Sequence, residues 1–130
     1  MFKGFERRLS MPLAAALVSL CASAQVLAEA CVVHTQAEHL DVQVCQQNVS
    51  IPQQLFHDGF CEPNLPGQKV SVQYVEQCPQ GAFGVCSDAH VDNMPYRQDI
   101  HYYGVASDAA YLRPFCEQKS LGKWLIPGLR

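Results

Sequence analysis

Cys31-Val-Val-His-Thr-Gln-Ala-Glu-His-Leu-Asp-Val-Gln-Val-Cys45 is the stretch that decides the fold. Val32, His34, Leu40, Val42 and Val44 share one parity around the triplet Ala37-Glu38-His39. Side chains alternate sides along a strand, so this parity predicts a hairpin from Cys31 to Gln46 with one half-apolar face. Cys31 and Cys45 are equidistant from Glu38, which sets them opposite each other and predicts a bridge between them.

Upstream of the hairpin, residues 1–28 have the parts of an export signal: a basic start (Lys3, Arg7, Arg8), an apolar run from Met11 to Ala24, and small residues before a cut after Ala28. Pro12 and several polar residues break the run, which falls short of the about 20 apolar residues of a membrane span. No transmembrane segment is therefore expected once the signal is removed. A cut after Ala30 is the alternative. The expected product is a single disulfide-rich domain over residues 29–130.

Seven cysteines are encoded, and Cys21 leaves with the leader. The six that stay, Cys31, Cys45, Cys61, Cys78, Cys86 and Cys116, are an even set in an exported chain and predict three disulfides, with 15 pairings open. None lies in C-x-x-C spacing, so zinc-ribbon and thioredoxin-like chemistry is not indicated. Without Lys3, Glu6, Arg7 and Arg8, the 9 basic and 12 acidic residues fall to 6 and 11, a net charge of −5. Nucleic acid and anionic membrane both need a basic surface and are excluded as partners.

Downstream, Ser50 to Gly59 predicts a short helix, with Ser50 as cap, Pro52 in its first turn, Gln53 closing a capping box and Gly59 as the stop. Lys69 to Glu76 alternates as a strand with one buried face. Further strands are expected over Phe83–Val91 and Gln98–Val105. A helix from Asp108, capped by Ser107, should turn Ala109, Leu112 and Cys116 inward, with Pro114 as a flaw. Lys123 to Ile126 predicts a last short strand. With no repeat or linker evident, the expected fold is α+β: a small disulfide-stabilised antiparallel sheet with one short helix and one C-terminal helix packed on it.

Gly84-Val85-Cys86, Tyr102-Tyr103, Cys116-Glu117 and Gly122-Lys123-Trp124 together resemble a module of small secreted cysteine-rich bacterial proteins, with the pattern G-x-C, Y-Y, C-E and G-G-x-W. Leu121 stands where that pattern has its first Gly. The resemblance covers Cys78 to Trp124 and implies a scaffold with a Cys86–Cys116 bridge. Cys61–Cys78 then follows by elimination. The full-length chain looks like pseudomonad-type secreted proteins, some of which carry an NADH:ubiquinone oxidoreductase label. This chain does not support that label, having neither a G-x-G-x-x-G turn nor cluster-type cysteine spacing.

No catalytic motif stands out. There is no G-x-S-x-G elbow, so Ser71, Ser87, Ser107 and Ser120 read as strand, turn and cap residues. Asn48-Val-Ser50 matches a glycosylation sequon that is idle behind a bacterial-type leader. Tyr96, Tyr102, Tyr103, Tyr111, Phe115 and Trp124 supply a core or, alternatively, a contact surface. The sharpest cluster is Asp88-x-His90-x-Asp92 with Asp99-x-His101. A hairpin across Asn93 to Arg97 that pairs His90 with His101 and Asp92 with Asp99 would gather imidazole and carboxylate for a divalent metal. The expected function is a non-enzymatic binding module of the periplasm or secreted space, with an envelope or extracellular protein or polymer as partner and no cofactor. A metal-binding protein using His90, His101, Asp92 and Asp99 is one alternative, and a small hydrolase is another.

Overall fold

In a computed structural model of the protein, Gly4, residues 29–63 and residues 65–128 are described. The predicted leader (apart from Gly4), its cut after Ala28 and Cys21 lie outside the described residues. Six strands form one antiparallel sheet: β1 (Ala30–Ala37), β2 (Leu40–Asn48), β3 (Lys69–Val75), β4 (Gly84–His90), β5 (Arg97–Tyr102) and β6 (Lys123–Leu125), in the order β3-β1-β2-β5-β4-β6. Helix α1 (Gln53–Leu55) runs on into a π-helical turn over Phe56–Phe60, and α2 covers Ala109–Gln118. The fold is α+β and disulfide-stabilised, as the sequence predicts.

The first hairpin forms, but one residue out of the expected register. Its turn is the pair Glu38-His39, with His39 at φ 65°, and Val32, not Cys31, lies opposite Cys45. A one-residue slip reverses every side chain, so Cys31 and Cys45 sit on opposite faces and no bridge joins them. Cys31 closes with Cys61 and Cys45 with Cys78, which corrects both the Cys31–Cys45 and the Cys61–Cys78 expectations. Cys86–Cys116 is present.

The same order of elements occurs twice, a repeat the sequence reading missed. Strand, strand, helix, strand is β1-β2-α1-β3 and again β4-β5-α2-β6, and the sheet order is palindromic about the β2–β5 seam. In each half the central strand is tied to the end of the helical segment across a separation of 30, Cys31 to Cys61 and Cys86 to Cys116. The tripeptides Phe60-Cys-Glu62 and Phe115-Cys-Glu117 mark the two ends.

Both helices lie on one face, each over its own core. Under α1, Phe56 is 1% exposed and packs with Cys31, Val33, Ile51 and Cys61. The helical turn is seated on β3 by Tyr74, whose ring stacks on His57 at 4.1 Å and whose hydroxyl donates to the His57 carbonyl at 3.2 Å. Under α2 the core is Cys86, Ala89, Cys116 and Trp124, with Ala109 and Leu112 packed against it, so the predicted inward face of this helix is observed. On the opposite face Ala30, Val32 and Cys45 form a third cluster beneath Cys78 and Tyr103.

Two glycines of the second half are demanded by packing. A Cβ on Gly84 would overlap the Trp124 ring, and one on Gly122 would lie 2.7 Å from Cys86 Sγ and 2.8 Å from the Ser87 carbonyl. The positive φ that ends α2 falls on Leu121 (52°) instead, and the Gly122 N–H returns to the Cys116 carbonyl at 2.9 Å. The predicted caps are not used. Ser50 Oγ instead accepts the Arg97 N–H at 2.9 Å, Ser107 lies in a 3₁₀ turn (Ala106–Asp108) ahead of α2, and neither helix has a side-chain cap. Helix α2 continues through Pro114.

Candidate functional site

The predicted metal face does not assemble. The β4–β5 hairpin reverses at Asp92–Pro95, with Asn93 at φ 60° and the Val91 N–H bonded to the Tyr96 carbonyl at 3.1 Å. His90 therefore lies opposite Arg97, and His101 opposite Val85 on one side and Cys45 on the other. Two causes set this register. Val91 and Tyr96 pack against the first core, drawing Tyr96 and Arg97 out of the expected turn. A bulge between Cys86 and Ala89 also inserts Asp88 in the left-handed region, φ 59°. Asp99 Oδ1 accepts the Asp88 N–H at 2.7 Å, and the Asp88 carboxylate takes the Arg97 guanidinium at 2.6 Å. His90 and Asp92 line one shallow depression while His101 and Asp99 line another. Among the described residues no group of three or more His, Cys, Asp or Glu is placed to hold a metal ion.

His101 lines a wide, shallow opening whose wall also takes in Arg113 of α2 and the stretch from Trp124 to Gly128. Val85, Ser87 and Asp99 share its wall, and the adjoining cleft of about 520 Å³ is walled by Cys78, Pro79 and again His101. Burial holds the His101 imidazole below its ordinary pKa, with the Asp99 carboxylate opposing that shift. The imidazole is thus neutral at pH 7. Ser87, His101 and Asp99 have the residue types of a hydrolytic triad, but among the described residues no hydrogen bond links them. Asp99 is engaged by the bulge. The sequon is occupied as well: Asn48 Oδ1 accepts the Ile51 N–H at 2.8 Å and its amide donates to the Ile51 carbonyl at 2.7 Å.

A more recessed cavity, about 290 Å³, lies between α2 and the β2–β5 seam. Val42 and Val44 enter it from β2, Tyr102 from β5 and Phe83 from the lead into β4. Val105, Tyr111 and Leu112 close it from the α2 side. Tyr102 is fixed by stacking against Trp124, centroids 5.8 Å apart, and burial raises the pKa of its hydroxyl. The lip is unusual, with Tyr111 81% and Val105 64% exposed. Asp108 is the acid that faces the lining; Asp41 borders it from β2, but its carboxylate is bonded to His34 Nε2 on the other face of the sheet.

No family profile, curated protein or solved structure matches the chain. The site is therefore read from its own geometry. That geometry divides the predicted aromatic set: Tyr96 and Trp124 serve the two cores, Tyr103 packs on the third cluster, Tyr102 and Tyr111 face the groove, and Phe115 is exposed. In the sequence Val42 and Val44 read only as part of a hairpin's apolar face and Val105 as a strand end, and no local motif marks them as a site. Three closed disulfides point to an oxidising, extracytoplasmic compartment. No helix among the described residues is long and apolar enough to cross a membrane.

Proposed function

We propose that the chain is a non-enzymatic binding module of the periplasm or secreted space, and that its contact site is the groove between α2 and the β2–β5 seam. The observation that carries this reading is the exposed pair Tyr111 and Val105 on the lip of an aromatic-lined cavity. Rigid aromatic anchors in a recess supply most of the energy of many interfaces. Water-exposed apolar side chains beside a preformed recess favour a partner over a purely structural role. The occupant is a segment of a partner protein that inserts an apolar or aromatic side chain and carries a Lys or Arg beside it. Asp108 on the groove and the net charge of −3 complement that cation.

The test is titration of the isotopically labelled domain with short peptides pairing Trp or Leu with Arg, against the same peptides carrying Glu. Shifts should centre on Val44, Tyr102 and Tyr111 with the basic peptides alone. Tyr111→Ala should weaken binding about tenfold, the effect of losing an interface residue worth more than 1 kcal/mol. Equal binding of the acidic peptides, or shifts confined to other surfaces, would overturn the assignment.

A further inference from the structure

The two halves share one bridge each, and Cys45–Cys78 is the bridge left over. With Cys31 opposite Gln46 and Cys86 opposite Ile100, the place in β5 that corresponds to Cys45 is Asp99. The ββαβ unit thus closes without a bond of this kind. Cys78 is also the one half-cystine of the six that is not buried, while Cys45, Cys31, Cys61, Cys86 and Cys116 are at most 1% exposed. Its residue forms part of the wall of the open cleft shared with His101, which is itself the cross-strand neighbour of Cys45.

The loop carrying Cys78 is held by more than its sulfur. Gln47 Oε1 accepts the Cys78 N–H at 3.1 Å, Gln47 Nε2 donates to the Glu76 carbonyl at 3.4 Å, and the Tyr103 hydroxyl donates to the Pro79 carbonyl at 2.5 Å. These bonds keep the loop on the sheet when the disulfide opens. The three bridges close loops of almost equal separation, 30, 33 and 30 residues, so chain entropy does not rank them and access does.

We propose that Cys45–Cys78 is a thiol-exchange site, at which Cys78 Sγ takes up an external thiol while the other two bridges stay closed and the sheet stays folded. The incoming thiol passes its proton to the His101 imidazole, and its thiolate forms a bond to Cys78 Sγ. The Cys45–Cys78 bond breaks with its electron pair leaving on Cys45 Sγ, which recovers the proton from the imidazolium. The products are a mixed disulfide at Cys78 and a free thiol at Cys45. A second thiol, attacking the mixed disulfide, releases a symmetric disulfide and a reduced Cys78.

The experiment is exposure of the native, oxidised protein to glutathione in mildly alkaline buffer, followed by alkylation and peptide mapping. One glutathione on Cys78 and one alkyl group on Cys45 are expected, with the near-ultraviolet circular dichroism unchanged. Opening of Cys31–Cys61 or Cys86–Cys116 first, simultaneous opening of all three, or reaction only after unfolding would each overturn the proposal. His101→Ala should slow adduct formation several-fold without changing where it forms. An unchanged rate would remove the imidazole from the reaction and overturn the proton-transfer step.

Discussion

The two halves of this sheet solve the same packing problem with different side chains. In the first, the helical segment lowers Phe56 onto the strands; in the second, the last strand raises Trp124 to the helix. Each fills the space beside a disulfide that ties the middle strand to the end of the helical segment. A ββαβ unit stapled in this way needs one large side chain between its layers, and either layer can provide it. The half that uses the strand pays for it in glycine, because Trp124 leaves no room for a Cβ at Gly84.

The largest expected effects would break the comparison at its centre. Phe56→Ala and Trp124→Ala should each cost about 3–5 kcal/mol in denaturant unfolding, the range for truncating a buried aromatic. If either costs less than about 1 kcal/mol, that half does not rest on its aromatic. Slightly smaller is the loss of a staple. Replacing Cys31 and Cys61 together, or Cys86 and Cys116 together, by Ala should cost about 3–4 kcal/mol, the chain-entropy value for loops of this length. The two pairs have the same separation, and costs differing by more than about 1 kcal/mol would show that the halves are not mechanically equivalent.

Gly67 and Gly122 sharpen the comparison further. Both stand six residues past a staple cysteine, but in different settings: Gly67 is at φ 77° in open space, while Gly122 presses on the Cys86–Cys116 bridge. Gly122→Ala should cost about 1–3 kcal/mol through overpacking. Gly67→Ala should cost about 1 kcal/mol through backbone conformation alone. Urea melts of both variants decide the order.

The smallest effect is one of pH. The position matching His101 in the first half is Gln47, which does not titrate. Burial lowers the folded-state pKa of His101 beneath 6.5, so below that pH the unfolded chain binds this proton more tightly than the folded one. The stability tied to a neutral His101 is complete above pH 6.5 and is lost progressively as the pH falls below it. His101→Gln should therefore narrow the drop in melting temperature between pH 7 and acid, relative to the parent. Parallel pH curves for parent and variant would show that His101 titrates alike in both states.

The sequence displayed the elements better than their registers. Alternation over Lys69–Val75 and the inward face of α2 were legible because each is settled within a few residues. The two hairpins were not, because register depends on turns whose length is decided elsewhere. A two-residue turn at Glu38-His39 separated Cys31 from Cys45, and burial of Val91 and Tyr96 on a distant core drew the second turn back to Asp92–Pro95. Asp88 gives no sequence sign that it occupies a bulge. The duplication stayed hidden for a similar reason: only the staples, Phe-Cys-Glu and a glycine recur, while the aromatic that fills each core has changed element. The groove draws on residues from Asp41 to Leu112, too far apart for any local pattern to announce it.

The palindromic strand order bears on how such a protein responds to dilution. A chain half this long, with one stapled ββαβ unit, presents its second strand at an open edge. Two such chains laid second strand to second strand reproduce the β2–β5 seam and the whole six-stranded order. Their sheet would form only as far as concentration allowed. Here the residues between β3 and β4 make the two units neighbours by covalent connection, at an effective concentration of about millimolar or more. The seam closes as a first-order event, and a single molecule at high dilution still holds both halves of its sheet together.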